Sequence, residues 1–188
     1  MNYRHSFHAG NPADVMKHAA LARVLAYLNK KENAYRVLDT HAGAGLYDLD
    51  GANAQRTLEA DSGIEAVLAA DLAGTLPKPA AALLAPYLDA VRATRAGGRR
   101  LYPGSPALAL ALSRPQDRFL FCELHKEERA KLEKRVGEDP RVKILPQDGW
   151  WTRRSRSRAS SSAWWRGWRP PTSALPPASS CCGIPSRT

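Results

Sequence analysis

Cysteine is scarce in this 188-residue chain. Cys122, Cys181 and Cys182 form no CxxC pair, no His/Cys spacing of a zinc site and no even disulfide framework. Neither a bound metal nor a secreted disulfide scaffold is expected, and the implied compartment is the reducing cytoplasm. Long apolar runs are also missing. No window approaches the roughly 18 uninterrupted apolar residues of a membrane span, and Arg4 and His5 are not followed by the apolar core of a signal peptide. The expectation is a soluble protein with no membrane partner. A third absence is local: residues 151–188 hold seven Arg, nine Ser, five Pro and four Trp without one Asp, Glu or Lys, so all eighteen acids lie in the first 150 residues. The seven tail arginines carry seven of the net +10, leaving +3 for residues 1–150. That mildly basic body is compatible with nucleic acid without demanding it. Its length suits one ordinary domain.

What is present is an α/β pattern. Asn11-Pro12-Ala13-Asp14 has the makings of a helix start, with Asn as N-cap, Pro at the first helical position and an acid near the positive end of the dipole. Leu21, Val24, Leu25 and Leu28 continue it at i, i+3, i+4, i+7 to a close at Asn29-Lys30-Lys31. Arg36-Val37-Leu38-Asp39 is a short apolar run entering a glycine-rich turn, and residues 117–124 and 141–146 are further strands of the buried parallel type. The charged stretch 126–136 between them predicts a connecting helix, and hence strand, helix, strand. Residues 48–98 interrupt this order with Ala/Leu-rich helical patterns at about 60–72 and 79–95, expected to form a solvated helical hairpin. No internal repeat is visible.

Candidate chemistry collects at strand ends. In a nucleotide-binding βαβ unit the first strand runs into a glycine turn, and the ligand lies at the carboxyl ends of the strands. His41-Ala42-Gly43-Ala44-Gly45 stands in that context, as either a plain turn or a ligand loop. The second strand ends in Cys122-Glu123-Leu124-His125, where an acid accepts from ribose hydroxyls in nucleotide folds. The usual gap of about 20 residues to that acid is lengthened here by the insertion. The third strand ends in Gln147-Asp148-Gly149, where Asp suits an exocyclic adenine amine and Gly permits close approach. Tyr102-Pro103-Gly104-Ser105-Pro106 is a turn by composition. His5, His8, His18 and His41 cluster in the first 41 residues without any helical His pair of a metal site. His18 shares a face with Leu21 and Leu25, which allows core-edge packing.

Taken together, YRHSFHAGNPADVMKH, LDTHAGAG, RTLE, YPGSP, ELH and QDG resemble the RlmJ family, S-adenosylmethionine-dependent adenine-N6 methyltransferases of bacterial 23S ribosomal RNA, over residues 1 to about 150. The resemblance implies a Rossmann-like class I methyltransferase sheet, incomplete here, at 1–47 and 99–150, with a small inserted helical subdomain at 48–98. It implies S-adenosylmethionine as cofactor, with His18, His41 and Ser105 lining the pocket, Glu123 on the ribose, and Asp148 with Gly149 on the adenine ring. Tyr3 would touch the 23S ribosomal RNA, Lys17 would help position the N-terminal motif, and a monomer is the family expectation.

The tail then becomes a problem. Adenine N6 is a poor nucleophile because its lone pair is delocalised into the ring, so its amino protons must be held by acceptors that orient it. Adenine-N6 enzymes use Asp-Pro-Pro followed by an aromatic on a fourth strand, the aromatic stacking on the flipped base. At about that distance this chain has Arg169-Pro170-Pro171-Thr172, and arginine accepts no hydrogen bond. A frameshift would account for this: an Arg codon CGA followed by CCC-CCC, read one nucleotide later, would give GAC-CCC-CC, Asp-Pro-Pro. The composition of 151–188 predicts disorder, and an open sheet edge and uncovered apolar face predict low stability. The expected product is an inactive N-terminal portion of such an enzyme. Alternatives are a catalytically dead protein that still grips cofactor or RNA, an Arg/Trp-rich RNA-binding arm, and a DNA rather than RNA methyltransferase.

Overall fold

The computed structural model describes residues 5–147; Tyr3, Asp148, Gly149, Arg169 and all of 151–188 lie outside the described residues. In chain order the elements are α1 (Pro12–Leu28), β1 (Arg36–Asp39), β2 (Leu46–Asp48), α2 (Ala52–Gln55), α3 (Ala66–Leu72), α4 (Lys78–Thr94), β3 (Leu101–Pro103), α5 (Ser105–Ala111), β4 (Arg118–Cys122), α6 (Lys126–Val136) and β5 (Val142–Leu145). A 3-10 turn at His5–Phe7 precedes them and a π-helical turn at Asp61–Glu65 leads into α3. No described helix is long and apolar enough to cross a membrane.

Three strands form a parallel sheet in the order β1-β4-β5, with Val37 opposite Phe119 and Phe121 opposite Ile144. The mixed α/β class and the parallel sheet agree with the sequence pattern. Strand alternation sends Val37, Phe119, Phe121, Val142 and Ile144 to one face, where they meet Leu25 of α1, Ala109 of α5 and Leu132 of α6. Leu38, Leu120 and Leu145 point the other way and belong to neither core cluster. Among the described residues β1 and β5 are the sheet's edges.

The start of α1 follows its sequence signals: Asn11 accepts from the Asp14 backbone N–H at 2.8 Å and Pro12 stands in the first turn. Of the leucine-spaced positions, Leu25 is buried and Leu21 packs against the core, but the buried face extends beyond them. Val24 is 56% exposed alongside Met16 and Tyr27, whereas Asp14, Val15, His18, Ala19, Ala22 and Leu25 are buried. The small side chains lie inward because α4 and α5 both pack closely on this helix.

That contact corrects the solvated hairpin. Tyr87, Leu88, Ala90 and Val91 of α4, with Ile64, are buried in one cluster with Val15, Ala19 and Ala22 of α1. Burial of each large side chain contributes on the order of 1.5–3 kcal/mol. The composition-based turn at 102–106 is also corrected. Tyr102 and Pro103 lie in β3, which pairs antiparallel with β2, and Ser105 opens α5. Three-residue strands paired across the insertion leave little local signal.

Candidate functional site

The carboxyl ends of β1 and β4 build one rim of a shallow cleft of about 80 Å³, lined by Thr40, His41, Cys122, Glu123, Leu124 and Gln147. Asp39 ends β1, and its carboxylate accepts the His41 backbone N–H at 3.0 Å and the Ser105 hydroxyl at 2.5 Å. The loop is pinned to β4 by Ala42 N–H donating to Cys122 O at 3.0 Å. Gly43 then takes φ +62°, and its N–H donates to Glu123 Oε2 at 2.7 Å. An added Cβ there would stand 2.2 Å from the Tyr47 hydroxyl oxygen, so the loop needs glycine for conformation and for space. Glu123 Oε1 accepts from the His125 N–H at 2.7 Å, which fixes the carboxylate at the mouth of the cleft. Each Glu123 oxygen still has acceptor capacity beyond the one bond described, since a carboxylate offers about four lone-pair sites.

A second polar cluster sits at the start of α1. The Asp14 carboxylate accepts from His5 Nε2 at 2.8 Å, from the Gly10 N–H at 3.1 Å and from Lys17 Nζ at 2.7 Å, and Asp14 is 1% exposed. His18 Nδ1 bonds the Tyr102 hydroxyl at 2.7 Å, and the Tyr102 and Tyr87 hydroxyls meet at 3.1 Å. The RTLE stretch after α2 is fastened to the N-terminal turn. Thr57 Oγ1 donates to Phe7 O, and Glu59 accepts from Asn11 Nδ2 and lies 2.9 Å from His8 Nδ1. Those bonds, Asn11's first, hold the Glu59 carboxyl below its ordinary range.

Burial lowers the His18 pKa from 6.5 to about 4, only partly opposed by the Asp14 charge. The unfolded chain therefore takes up this proton first as pH falls. Stability from a neutral His18 is full above pH 6.5 and is lost between 6.5 and about 4. At ~1.4 kcal/mol per unit the loss is about 3 kcal/mol. Urea unfolding across that range is expected to show the wild type losing its advantage over His18→Gln as pH drops. A constant difference between the two proteins would remove His18 from the account.

The structure brings His41 and Glu123 to the cleft, and Ser105 to the end of β1 through Asp39. His18 stands apart, packed on Tyr102 with 5.5 Å between ring centroids, and is not among the cleft-lining residues. Lys17, exposed at the surface, is bonded to the buried Asp14 carboxylate. Tyr3, Asp148 and Gly149 lie outside the described residues. Among the described residues no three His, Cys, Asp or Glu side chains gather as a metal set. Sequence reasoning passed over Asp39, although its place as the last strand residue before a glycine turn was a usable signal. It also passed over Tyr47, which only the fold brings beneath the loop.

Comparison with known proteins gives a consistent result. Residues 32–163 match the family model described as "RsmJ: Ribosomal RNA large subunit methyltransferase D, RlmJ". The chain is 40% identical over 150 residues to "Ribosomal RNA large subunit methyltransferase J" of Escherichia coli (strain K12), covering 79% of this chain and 51% of that protein. It is 36% identical over 151 residues to the protein of the same name from Haemophilus influenzae, again covering 79% of this chain and 51% of that protein. The crystal structure of protein LPL1258 from Legionella pneumophila is similar with a TM-score of 0.65 and 36% identity, covering 75% of this chain and 49% of that one. The chain thus spans about half the length of the curated relatives it matches.

Proposed function

Because the chain belongs to the RlmJ family of ribosomal RNA large subunit methyltransferases, we propose that residues 5–147 form the cofactor-binding half of an S-adenosylmethionine-dependent enzyme acting on N6 of an adenine in 23S ribosomal RNA. The observation that carries this reading is the Glu123 carboxylate, fixed by the Gly43 and His125 N–H groups at the carboxyl ends of parallel strands. An anchored acid with spare lone pairs suits the hydroxyls of an adenosine ribose. Bound S-adenosylmethionine would supply an electrophilic methyl group. Glu123 would hold its ribose, the 40–45 loop would lie against it, and Ser105 with Asp39 would hold that loop in shape. The cleft of about 80 Å³ is one wall of such a site, since small-molecule pockets run to about 300–1,000 Å³. Asp148 and Gly149 are proposed to contact the adenine, and Tyr3 and Lys17 to serve the RNA side.

Catalysis needs an acceptor for the adenine amino protons, and Arg169 provides none. The chain with this tail is therefore proposed to bind cofactor without transferring methyl groups, as a cytoplasmic monomer. Among the described residues the order β1-β4-β5 leaves β1 an edge strand, which is where the next parallel strand of a doubly wound sheet would add. Reading the encoding DNA from codon 140 in all three frames is expected to reveal Asp-Pro-Pro and an aromatic residue in a neighbouring frame. Its absence would make the tail a true product and favour a silent cofactor- or RNA-binding protein.

Glu123→Ala is expected to weaken S-adenosylhomocysteine binding by about ten- to a hundredfold by calorimetry, from two charge-assisted hydrogen bonds at roughly 1.5–3 kcal/mol each, less what water recovers. Unchanged affinity would remove Glu123 from the site.

A further inference from the structure

Three sequence motifs far apart in the chain meet on one side chain, Tyr47 of β2. Its ring stands edge-on to the His5 ring, 5.2 Å between centroids and 66° between planes, and His5 is in turn bonded to Asp14. Its hydroxyl accepts the Ala44 backbone N–H at 3.2 Å, directly beneath Gly43. Its ring also runs against Gly104, where an added Cβ would stand 3.0 Å from Tyr47 Cε2, and the Gly104 N–H donates to Gly45 O at 3.0 Å. The N-terminal turn, the glycine loop and the start of α5 thus share one support, which is 5% exposed and is not among the cleft-lining residues. Burial holds its hydroxyl far above the ordinary tyrosine range, so it remains protonated at any working pH.

We propose that Tyr47 is a positioning residue that couples the His5–Phe7 turn to the shape of the glycine loop. The His5 edge contact fixes the ring, the ring fixes the hydroxyl, and the hydroxyl sets the Gly43–Ala44 backbone that aims the Gly43 N–H at Glu123. The functional consequence rests on the cofactor reading of that loop. A ligand seated on the loop would stabilise the His5–Phe7 turn, and a stabilised turn would tighten the ligand by the same factor, because coupling between sites is reciprocal.

The test is amide hydrogen exchange, followed by NMR on the full chain, in the wild type, Tyr47→Phe, His5→Ala and the double variant. Tyr47→Phe keeps the ring and removes the acceptor, so the Ala44 amide is expected to exchange about three- to tenfold faster. His5→Ala is expected to speed the same amide, which His5 reaches through Tyr47. The double variant should show no more than the larger single effect. The Phe119 amide, bonded to Arg141 O in the parallel sheet, should not change in any of them. If His5→Ala loosens Phe119 as well, His5→Phe, which keeps the ring edge, becomes the deciding variant and should leave Ala44 near wild type. Wild-type exchange at Ala44 in a folded His5→Ala protein, or loss of Ala44 protection in a folded His5→Phe protein, would overturn the coupling. Tyr47→Phe should also weaken S-adenosylhomocysteine several-fold. A wild type that binds none of it would sink the cofactor reading, while the exchange result would still decide the coupling.

Discussion

Gly63→Ala is expected to destabilise the protein by about 3 kcal/mol or more, because the new methyl group meets backbone that cannot yield. A Cβ at Gly63 would stand 2.0 Å from Gly10 O, 2.6 Å from Asn11 C and 2.8 Å from Asn11 Cα. Relief requires the π-helical turn at Asp61–Glu65 to move off the N-terminal turn. That motion breaks the 2.9 Å bond from the Ile64 N–H to Gly10 O and lifts fully buried Ile64 from the core. Gly97→Ala is the control, with nothing within 4 Å of its added Cβ, and should fall within about 0.5 kcal/mol of wild type. Urea unfolding of both variants checks this. A Gly63→Ala protein as stable as wild type would mean that the Asp61–Glu65 turn is not seated on the N-terminal turn as described.

Asp14→Ala is expected to cost about 3–5 kcal/mol, the scale for removing one partner of a buried charged cluster. The loss leaves His5 Nε2 without this acceptor, strips the buried Gly10 N–H of its bond and releases Lys17. Asp14→Asn, which keeps one acceptor oxygen, should cost less. Burial works against the Asp14 charge, but the His5 and Lys17 bonds and the nearby positive charges outweigh it and hold the carboxyl well below the usual carboxylate range. Its stabilisation is therefore complete above the unfolded value of about 4 and fails only in stronger acid. The His18 loss comes earlier, between pH 6.5 and about 4. Unfolding of Asp14→Ala and Asp14→Asn at pH 7, with proteolysis mapped over residues 5–10, separates a lost hub from a lost surface charge. Equal stability of both variants and wild type would contradict the hub.

Local signals in the sequence carried the local structure well. The charged stretch 126–136 coincides with α6, and Arg36 to Asp39 with β1, because caps, charge and short apolar runs act within a few residues. Asn11-Pro12 likewise marked the start of α1. What stayed hidden was set by contacts across the chain. Asp14 has the look of an ordinary first-turn acid, yet it is buried, because the N-terminal turn folds back over it. β2 and β3 have three residues each and find each other across the insertion, so Pro103-Gly104 looked like a plain turn. Tyr47 carries no local mark, since its partners Ala44, His5 and Gly104 converge only in the folded chain. At the candidate site, the glycine turn and the acid ending β4 were visible as strand-end residues. The hydrogen bond that joins them was not.

The most direct test of the central claim is to titrate S-adenosylhomocysteine into the isotope-labelled full chain and follow its backbone amide signals. Saturable shifts are expected to centre on Thr40, His41, Gly43, Glu123, Leu124 and His125, with smaller ones at Ala44, the His5–Phe7 turn, Asp148 and Gly149, and the amides of α4 unmoved. No binding, or shifts centred on the insertion instead of the carboxyl ends of β1 and β4, would contradict the claim.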